Sequence, residues 1–227
     1  MTPSVQTLDI VPVNDLASRL GFAEPLNYPL ASRQKPLTDF KMEVDDSPIF
    51  RYLYRNFRPT RHLEFGTWQG SGVLYCLEEC AATVWTLNLP QGERNDDGTR
   101  SYQEDDGASI GRFYREKDLG NRVCQIYCNS LHWDISNYPK GFFDSALIDG
   151  GHTPEVVQSD TAKALALLRP SGLCLWHDFC PDPAVLKDSA TSRGVVEAIL
   201  EDWEGLHSHM RDLFWIRPSY ILAGIVK

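Results

Sequence analysis

The stretch His62-Leu63-Glu64-Phe65-Gly66-Thr67-Trp68-Gln69-Gly70-Ser71-Gly72 decides the fold. Residues 62–65 read as a short apolar strand carrying one carboxylate, Glu64. Glycines follow at 66, 70 and 72, and a helical pattern runs over 71–80. A residue without Cβ lets the backbone turn sharply and approach a ligand closely. A ligand placed there meets the free N–H groups of the following helix. Dinucleotide turns use GxGxxG against a pyrophosphate. This chain has GxxxGxG, with an acid two residues before the first glycine. That acid would repel a pyrophosphate and suits a ligand bearing cationic groups. An ordinary glycine-rich strand–helix turn is the structural alternative.

Regular punctuation spreads outward from this turn. Strand patterns cover 83–89, 122–127, 143–148 and 173–176, and helical patterns cover 110–116, 154–168 and 192–203. Strands alternating with helices predict an α/β fold: a Rossmann-like, doubly wound, mostly parallel sheet. The tail, 207–215 and 220–226, reads as two strands joined by Arg217-Pro218-Ser219, so one antiparallel strand is expected at or near the sheet edge. Upstream, residues 1–58 form an N-terminal helical extension to the domain at 59–227. Pro3, Pro12, Pro25, Pro29 and Pro36 make its first part an irregular arm, with one short helix over 14–20 capped by Asn14. Ser47-Pro48 opens a helix with apolar positions at Ile49, Phe50, Leu53, Tyr54 and Phe57, ending before Pro59. Residues 90–107 are polar and read as a long surface loop, a length often tied to function.

Composition narrows the function classes. The chain has 227 residues, 42% of them hydrophobic, which is enough for a real core. No apolar run is long enough to span a bilayer, and no signal-peptide pattern opens the chain, so a cytoplasmic protein with no membrane partner is expected. The net charge of -9, without a Lys/Arg cluster, argues against a nucleic-acid partner and for a small-molecule one. Six cysteines form no CxxC pair and lack histidines at finger spacing. They read as reduced core thiols, Cys124 and Cys128 included.

The second informative stretch is Leu147-Ile148-Asp149-Gly150-Gly151-His152. A buried strand delivers Asp149 to the sheet's C-terminal edge, where doubly wound sheets bind ligands. The strand at 173–176 ends in His177-Asp178-Phe179. If the two strands are neighbours, Asp149 and the 177–178 pair meet, and two carboxylates with an imidazole or water suit a divalent cation. Asp149 capping the next turn is the structural alternative. Asp160, on the helix between the strands, reads as a solvated residue. His152, beside Gly-Gly, reads either as a helix-entry residue or as a general base. Trp176 and Phe179 read as core or pocket wall.

Glu64, Gly66 and Gly70 resemble motif I of class I S-adenosylmethionine (SAM)-dependent methyltransferases, E/D-x-G-x-x-x-G. The segment 149–179 resembles the small-molecule O-methyltransferases that act on sugars and secondary metabolites, and the cephalosporin-hydroxylase-like proteins, through I-D-G-x-H…D…L-x-P-x-G…H-D. The resemblance implies SAM bound by Glu64, Phe65, Gly66, Thr67, Gly70, Ser71, Asn88, Leu89, Asn129, Ser130, Asp149 and Gly150. It places Asn88 where many relatives carry a ribose-binding acid, and Asn129 and Ser130 near the adenine. A helix N-cap is the other role for those two. Metal-dependent relatives hold magnesium with an acid after the fourth strand and an acidic pair after the fifth. The matching positions are Asp149, His177 and Asp178, with His177 replacing the first acid of the pair. Magnesium, a softer divalent cation and no metal all remain open. Relatives often self-associate, so a homo-oligomer is expected.

The working expectation is methyl transfer to a small-molecule hydroxyl, with His152 or Asp149 removing its proton. The 90–107 loop and the N-terminal arm are expected to cover the acceptor. The alternatives are an NAD-dependent oxidoreductase and a non-catalytic methyltransferase-like binding module. The absence of a GxSxG elbow argues against an α/β-hydrolase.

Overall fold

The computed structural model describes residues 8–94 and 110–227. Most of the 90–107 loop therefore lies outside the described residues. The chain opens with strand β1 (Ile10–Pro12) and helices α1 (Leu16–Leu20), α2 (Leu30–Gln34) and α3 (Ser47–Phe57). The glycine-turn strand is β2 (Arg61–Phe65), followed by α4 (Ser71–Glu79), β3 (Thr83–Asn88), α5 (Arg112–Glu116) and β4 (Val123–Tyr127). Then come β5 (Phe143–Ile148), α6 (Pro154–Leu167), β6 (Leu168–Trp176), α7 (Pro183–Asp188), α8 (Ala190–Glu201) and α9 (Trp203–His209). Strands β7 (Met210–Arg217) and β8 (Ile221–Val226) close the chain.

All eight strands join one sheet in the order β1-β7-β8-β6-β5-β2-β3-β4. Strand β8 runs antiparallel to both β6 and β7, and the other pairings are parallel. The antiparallel strand thus sits inside the sheet, with β7 and β1 beyond it. Strand order reverses at β2, whose neighbours β3 and β5 lie on opposite sides. The crevice of such a sheet opens there, above the carboxyl ends of the strands.

Both faces of the sheet are covered, so β5 is buried along its whole length. Its residues alternate between layers. Ala146 and Ile148 pack with Val157 and Ala164 of α6, while Leu147 joins the opposite core with Ile49, Phe50 and Leu53 of α3. Helix α3 therefore covers the sheet with the apolar stripe read from the sequence. Among the described residues, no helix is long and apolar enough to cross a membrane.

Several local expectations need correction. Asn14 caps nothing: residues Val13–Asp15 form a 3-10 turn without side-chain capping, and α1 begins at Leu16. The arm also carries strand β1, which pairs with β7. The strand expected from residue 207 starts at Met210, because 203–209 is helical. Trp203 and Leu206 are buried at helical spacing, and strand alternation takes over only afterwards. Cys124 is exposed rather than core, although all six cysteines are free. Asp160 is fully buried rather than solvated. Burial pushes its pKa up to about 7.

Candidate active site

Backbone contact between β2 and β5 builds the floor of the site. Gly66 has φ +95, and a Cβ placed on it would lie 2.0 Å from the Asp149 carbonyl oxygen. Only glycine fits both the backbone conformation and the space. Asp149 N–H donates to the Phe65 carbonyl, and His177 N–H donates to that of Ile148, so β2, β5 and β6 end side by side. The neighbouring strands expected from the sequence do bring Asp149, His177 and Asp178 together.

Glu64 lies below this floor. It is 1% exposed, and burial holds its carboxyl well above the usual carboxylate range. A Cβ on Gly72 would meet its Oε2 at 2.7 Å, so the third glycine of the turn makes room for the acid. Glu64 braces the loop from beneath. Thr67 is also buried, sharing a 2.7 Å hydrogen bond with the Thr86 hydroxyl. Asn88 accepts the Trp68 N–H at 2.9 Å through its side-chain oxygen, which fixes the exposed end of the turn. Asn129 caps the next turn by accepting the Leu131 N–H at 3.0 Å.

Above the floor lies a cleft of about 720 Å³, within the range of small-molecule sites. Of the residues expected to bind cofactor, Gly66, Asn88, Leu89, Ser130, Asp149 and Gly150 line it. Glu64, Phe65, Thr67, Gly70, Ser71 and Asn129 do not line it and stand behind those that do. The cleft is also lined by His152, His177 and Asp178, with Met42 and Glu43 from the N-terminal arm and Ala190 and Thr191 from α8. A smaller apolar cleft, about 290 Å³ between α6 and α8–α9, contains none of these groups.

Two imidazoles and three carboxylates meet beside these residues. His177 Nδ1 lies 3.0 Å from Asp149 Oδ1, and its Nε2 lies 3.2 Å from Asp46 Oδ2. Asp46 is fully buried just before α3, and its other oxygen accepts the Tyr220 N–H at 3.2 Å. His152 Nε2 lies 2.9 Å from Asp178 Oδ2, though outside hydrogen-bond alignment. Asp178 has φ 58, a left-handed backbone that aspartate tolerates better than most residues. Burial pulls the His177 pKa down, but Asp149 and Asp178 outweigh it and hold the ring well above its ordinary value. His152 is also raised: burial lowers it, and Asp178 more than compensates. Asp178 is pulled far below the usual range, since His177 and His152 overcome its desolvation.

Asp46 was not foreseen from the sequence. Its only signal was Asp45-Asp46-Ser47-Pro48 before a helix, which reads as a capping run. Nothing in that pattern points to a histidine 131 positions away. Met42, Glu43 and Thr191 line the cleft without any motif of their own.

The expected cation can be tested against this donor set. One ligand atom each from Asp149, His152 and Asp178 lies within 4.8 Å of the others, a cation-sized group. Some of its atoms are already engaged. Asp149 Oδ1 and Asp178 Oδ2 already face imidazoles. His177 has a carboxylate at each ring nitrogen and no free lone pair directed at the cleft. Magnesium requires hard oxygen donors, which the two carboxylates supply. Asp149, His152 and Asp178 are thus the residues that would hold a divalent cation, and His152 Nε2 is buried there without a hydrogen-bond partner.

A parallel core with one inserted antiparallel strand, a glycine turn after β2 and an acid after β5 define a class I methyltransferase architecture. The family model for a methyltransferase domain matches residues 63–179, more than half of the chain, and the chain belongs to that family. No curated protein sequence matches it. Solved structures of the same fold include a Bacillus cereus O-methyltransferase in complex with SAH (S-adenosylhomocysteine). That likeness has 17% identity and TM-score 0.57, covering 95% of this chain and 97% of the other. The Streptomyces achromogenes O-methyltransferase of tomaymycin synthesis, in complex with SAM, has 14% identity and TM-score 0.55, covering 95% and 88%. A Podospora anserina methyltransferase bound to SAH has 16% identity and TM-score 0.56, covering 94% and 96%.

Proposed function

We propose that this protein transfers a methyl group from SAM to a hydroxyl of a small molecule such as a sugar or secondary metabolite. The observation that carries this reading is the cleft itself. It brings the β2 glycine turn and a His152–Asp178 pair into one space. Family membership and the SAM and SAH in the solved relatives support the cofactor. In the proposed arrangement, Gly66, Asn88, Leu89, Ser130, Asp149 and Gly150 contact the cofactor. Met42 and Glu43, which line the cleft, support the expectation that the arm helps to cover the acceptor.

In the reaction the S–CH3 bond breaks as the O–CH3 bond forms. The hydroxyl proton moves to His152. Asp178 occupies the Nε2 edge of that ring, which leaves Nδ1 as the accepting atom. Alignment of sulfonium and hydroxyl supplies much of the acceleration. Because the His152 pKa is raised above 6.5, the base form grows as pH rises, and the rate should climb to a plateau with a midpoint above that value.

The test is thermal unfolding with SAH or NADH, followed by mass spectrometry of acceptor panels incubated with SAM. Stabilisation by SAH alone, with a product heavier by one methylene, is expected. Stabilisation by NADH alone would overturn the reading.

A further inference from the structure

We propose that Cys76 and Cys80 are a hydroperoxide-sensitive thiol pair: a hydroperoxide oxidises Cys80, and Cys76 then closes a disulfide at the C-terminal end of α4. The inference goes beyond the methyl-transfer reading and does not depend on it.

The argument begins with the end of the helix. Helix α4 stops at Glu79, and Cys80 leaves it in extended conformation, with φ -150 and ψ 171. Its N–H still donates to the Cys76 carbonyl at 3.1 Å. Residues four apart on a helix share a face. The two sulfurs accordingly lie 3.8 Å apart, with Cys76 buried and Cys80 half-buried. A disulfide needs about 2.0 Å between its sulfurs, so the pair closes by tightening one terminal turn.

The surroundings give the two thiols different roles. Cys80 is the partner that a small oxidant in solvent reaches. As a thiol it donates to the Cys76 carbonyl at 3.2 Å. A helix C-terminus ordinarily disfavours a thiolate, because the last carbonyls carry partial negative charge. Here Arg122 donates to the Leu77 and Cys80 carbonyls and brings a full positive charge to that end. The Cys76 hydrogen bond, the Ala82 N–H and Arg122 bring the Cys80 pKa down to about 7, against burial and Glu79. Cys76 is the reverse case. Burial holds its thiol well above the ordinary value, with Glu64 pushing the same way, so it stays protonated until its partner has reacted.

The chemistry follows in two steps. The Cys80 thiolate attacks the terminal oxygen of the hydroperoxide. An S–O bond forms, the O–O bond breaks, and the leaving oxygen takes a proton from water, so sulfur is oxidised to a sulfenic acid as the peroxide is reduced. The Cys76 sulfur then attacks Cys80, and its proton departs with the sulfenic hydroxyl as water while the S–S bond forms. Two thiols and one hydroperoxide thus become a disulfide, a water and an alcohol, or a second water when the oxidant is hydrogen peroxide.

The experiment treats the full chain with hydrogen peroxide at neutral pH, followed by thiol alkylation and peptide mass spectrometry. The peptide carrying both cysteines is expected to lose two hydrogen atoms in mass, at least roughly tenfold faster than Cys124 is oxidised, and to regain them with dithiothreitol. Cys124 is exposed, so the comparison removes simple access as the cause. In Cys76→Ala, Cys80 should stop at the sulfenic acid and be captured by dimedone. In Cys80→Ser, Cys76 should remain a thiol at the same dose. Oxidation of Cys124 ahead of the pair, two unchanged thiols after peroxide, or an oxidised Cys76 in Cys80→Ser would each overturn the proposal. If Cys76→Ala does not fold, the wild-type rates and Cys80→Ser still decide.

Discussion

Gly66 shows how a single missing carbon permits the site. With φ +95 and the Asp149 carbonyl 2.0 Å from any added Cβ, Gly66→Ala should cost about 3 kcal/mol and abolish SAH binding. Unfolding in urea and calorimetry would check both effects. Asp144 illustrates a purely structural carboxylate. It accepts from the Thr60 and Arg61 backbone N–H groups and from Arg169, at the end of β5 remote from the site. Burial would raise its pKa, but these donors lower it to about 2. Its contribution is therefore complete above the ordinary value near 3.8 and is lost as pH falls through about 2. Asp144→Asn should lower stability at neutral pH by about 2 kcal/mol and flatten the acid limb of the stability curve. Equal acid sensitivity in variant and wild type would refute this assignment. At this scale the sequence was informative wherever a residue type has one dominant use. Glycine in a turn and aspartate at a strand end were legible. The environment of Asp160 and Asp46 was not, since burial of a carboxylate depends on chain segments far away in sequence.

Elements were legible in proportion to their length and contrast. Strands β2, β3 and β5 and helices α3, α4 and α6 follow the patterns read from the sequence, because each buries apolar residues in one of the two cores. Strand β4 keeps its expected place although none of its residues is fully buried, and β6 begins at Leu168, before the expected start at 173. Strand β1 escaped notice. Three residues ending in Pro12 carry no periodicity, and proline at an edge costs no ladder bond that the sheet needs. The α9–β7 boundary was misplaced because a helix and a strand meet without a glycine or proline between them. The arm is held by specific polar contacts. Fully buried Asp45 pairs with Lys35 at 2.7 Å and accepts from Ser32 at 2.6 Å. Lys35→Met would strand that charge and should cost about 2 kcal/mol, the remaining donors softening the loss. Because Asp46 follows Asp45 directly, the same variant should also weaken protection of the His177 ring protons, measurable by NMR exchange. Unchanged stability would show that the arm docks by its apolar residues alone.

On the scale of the molecule, topology turns scattered residues into one cleft. The order reversal at β2 opens the crevice, β5 and β6 bring Asp149 beside His177 and Asp178, and the arm adds Met42, Glu43 and Asp46 from more than 100 residues upstream. The parallel sheet was legible from alternation, and so was the convergence of the two acidic strand ends. The insertion of β8 between β6 and β7 was not, because pairing order leaves no mark in local sequence. The central claim is that this crevice binds SAM across the glycine turn. Calorimetric titration of the wild type and Gly66→Ala with SAM, without added metal, tests it most directly. The account predicts micromolar, one-to-one binding by the wild type and none by the variant. Absence of wild-type binding, or binding that persists undiminished in a folded Gly66→Ala, would contradict it.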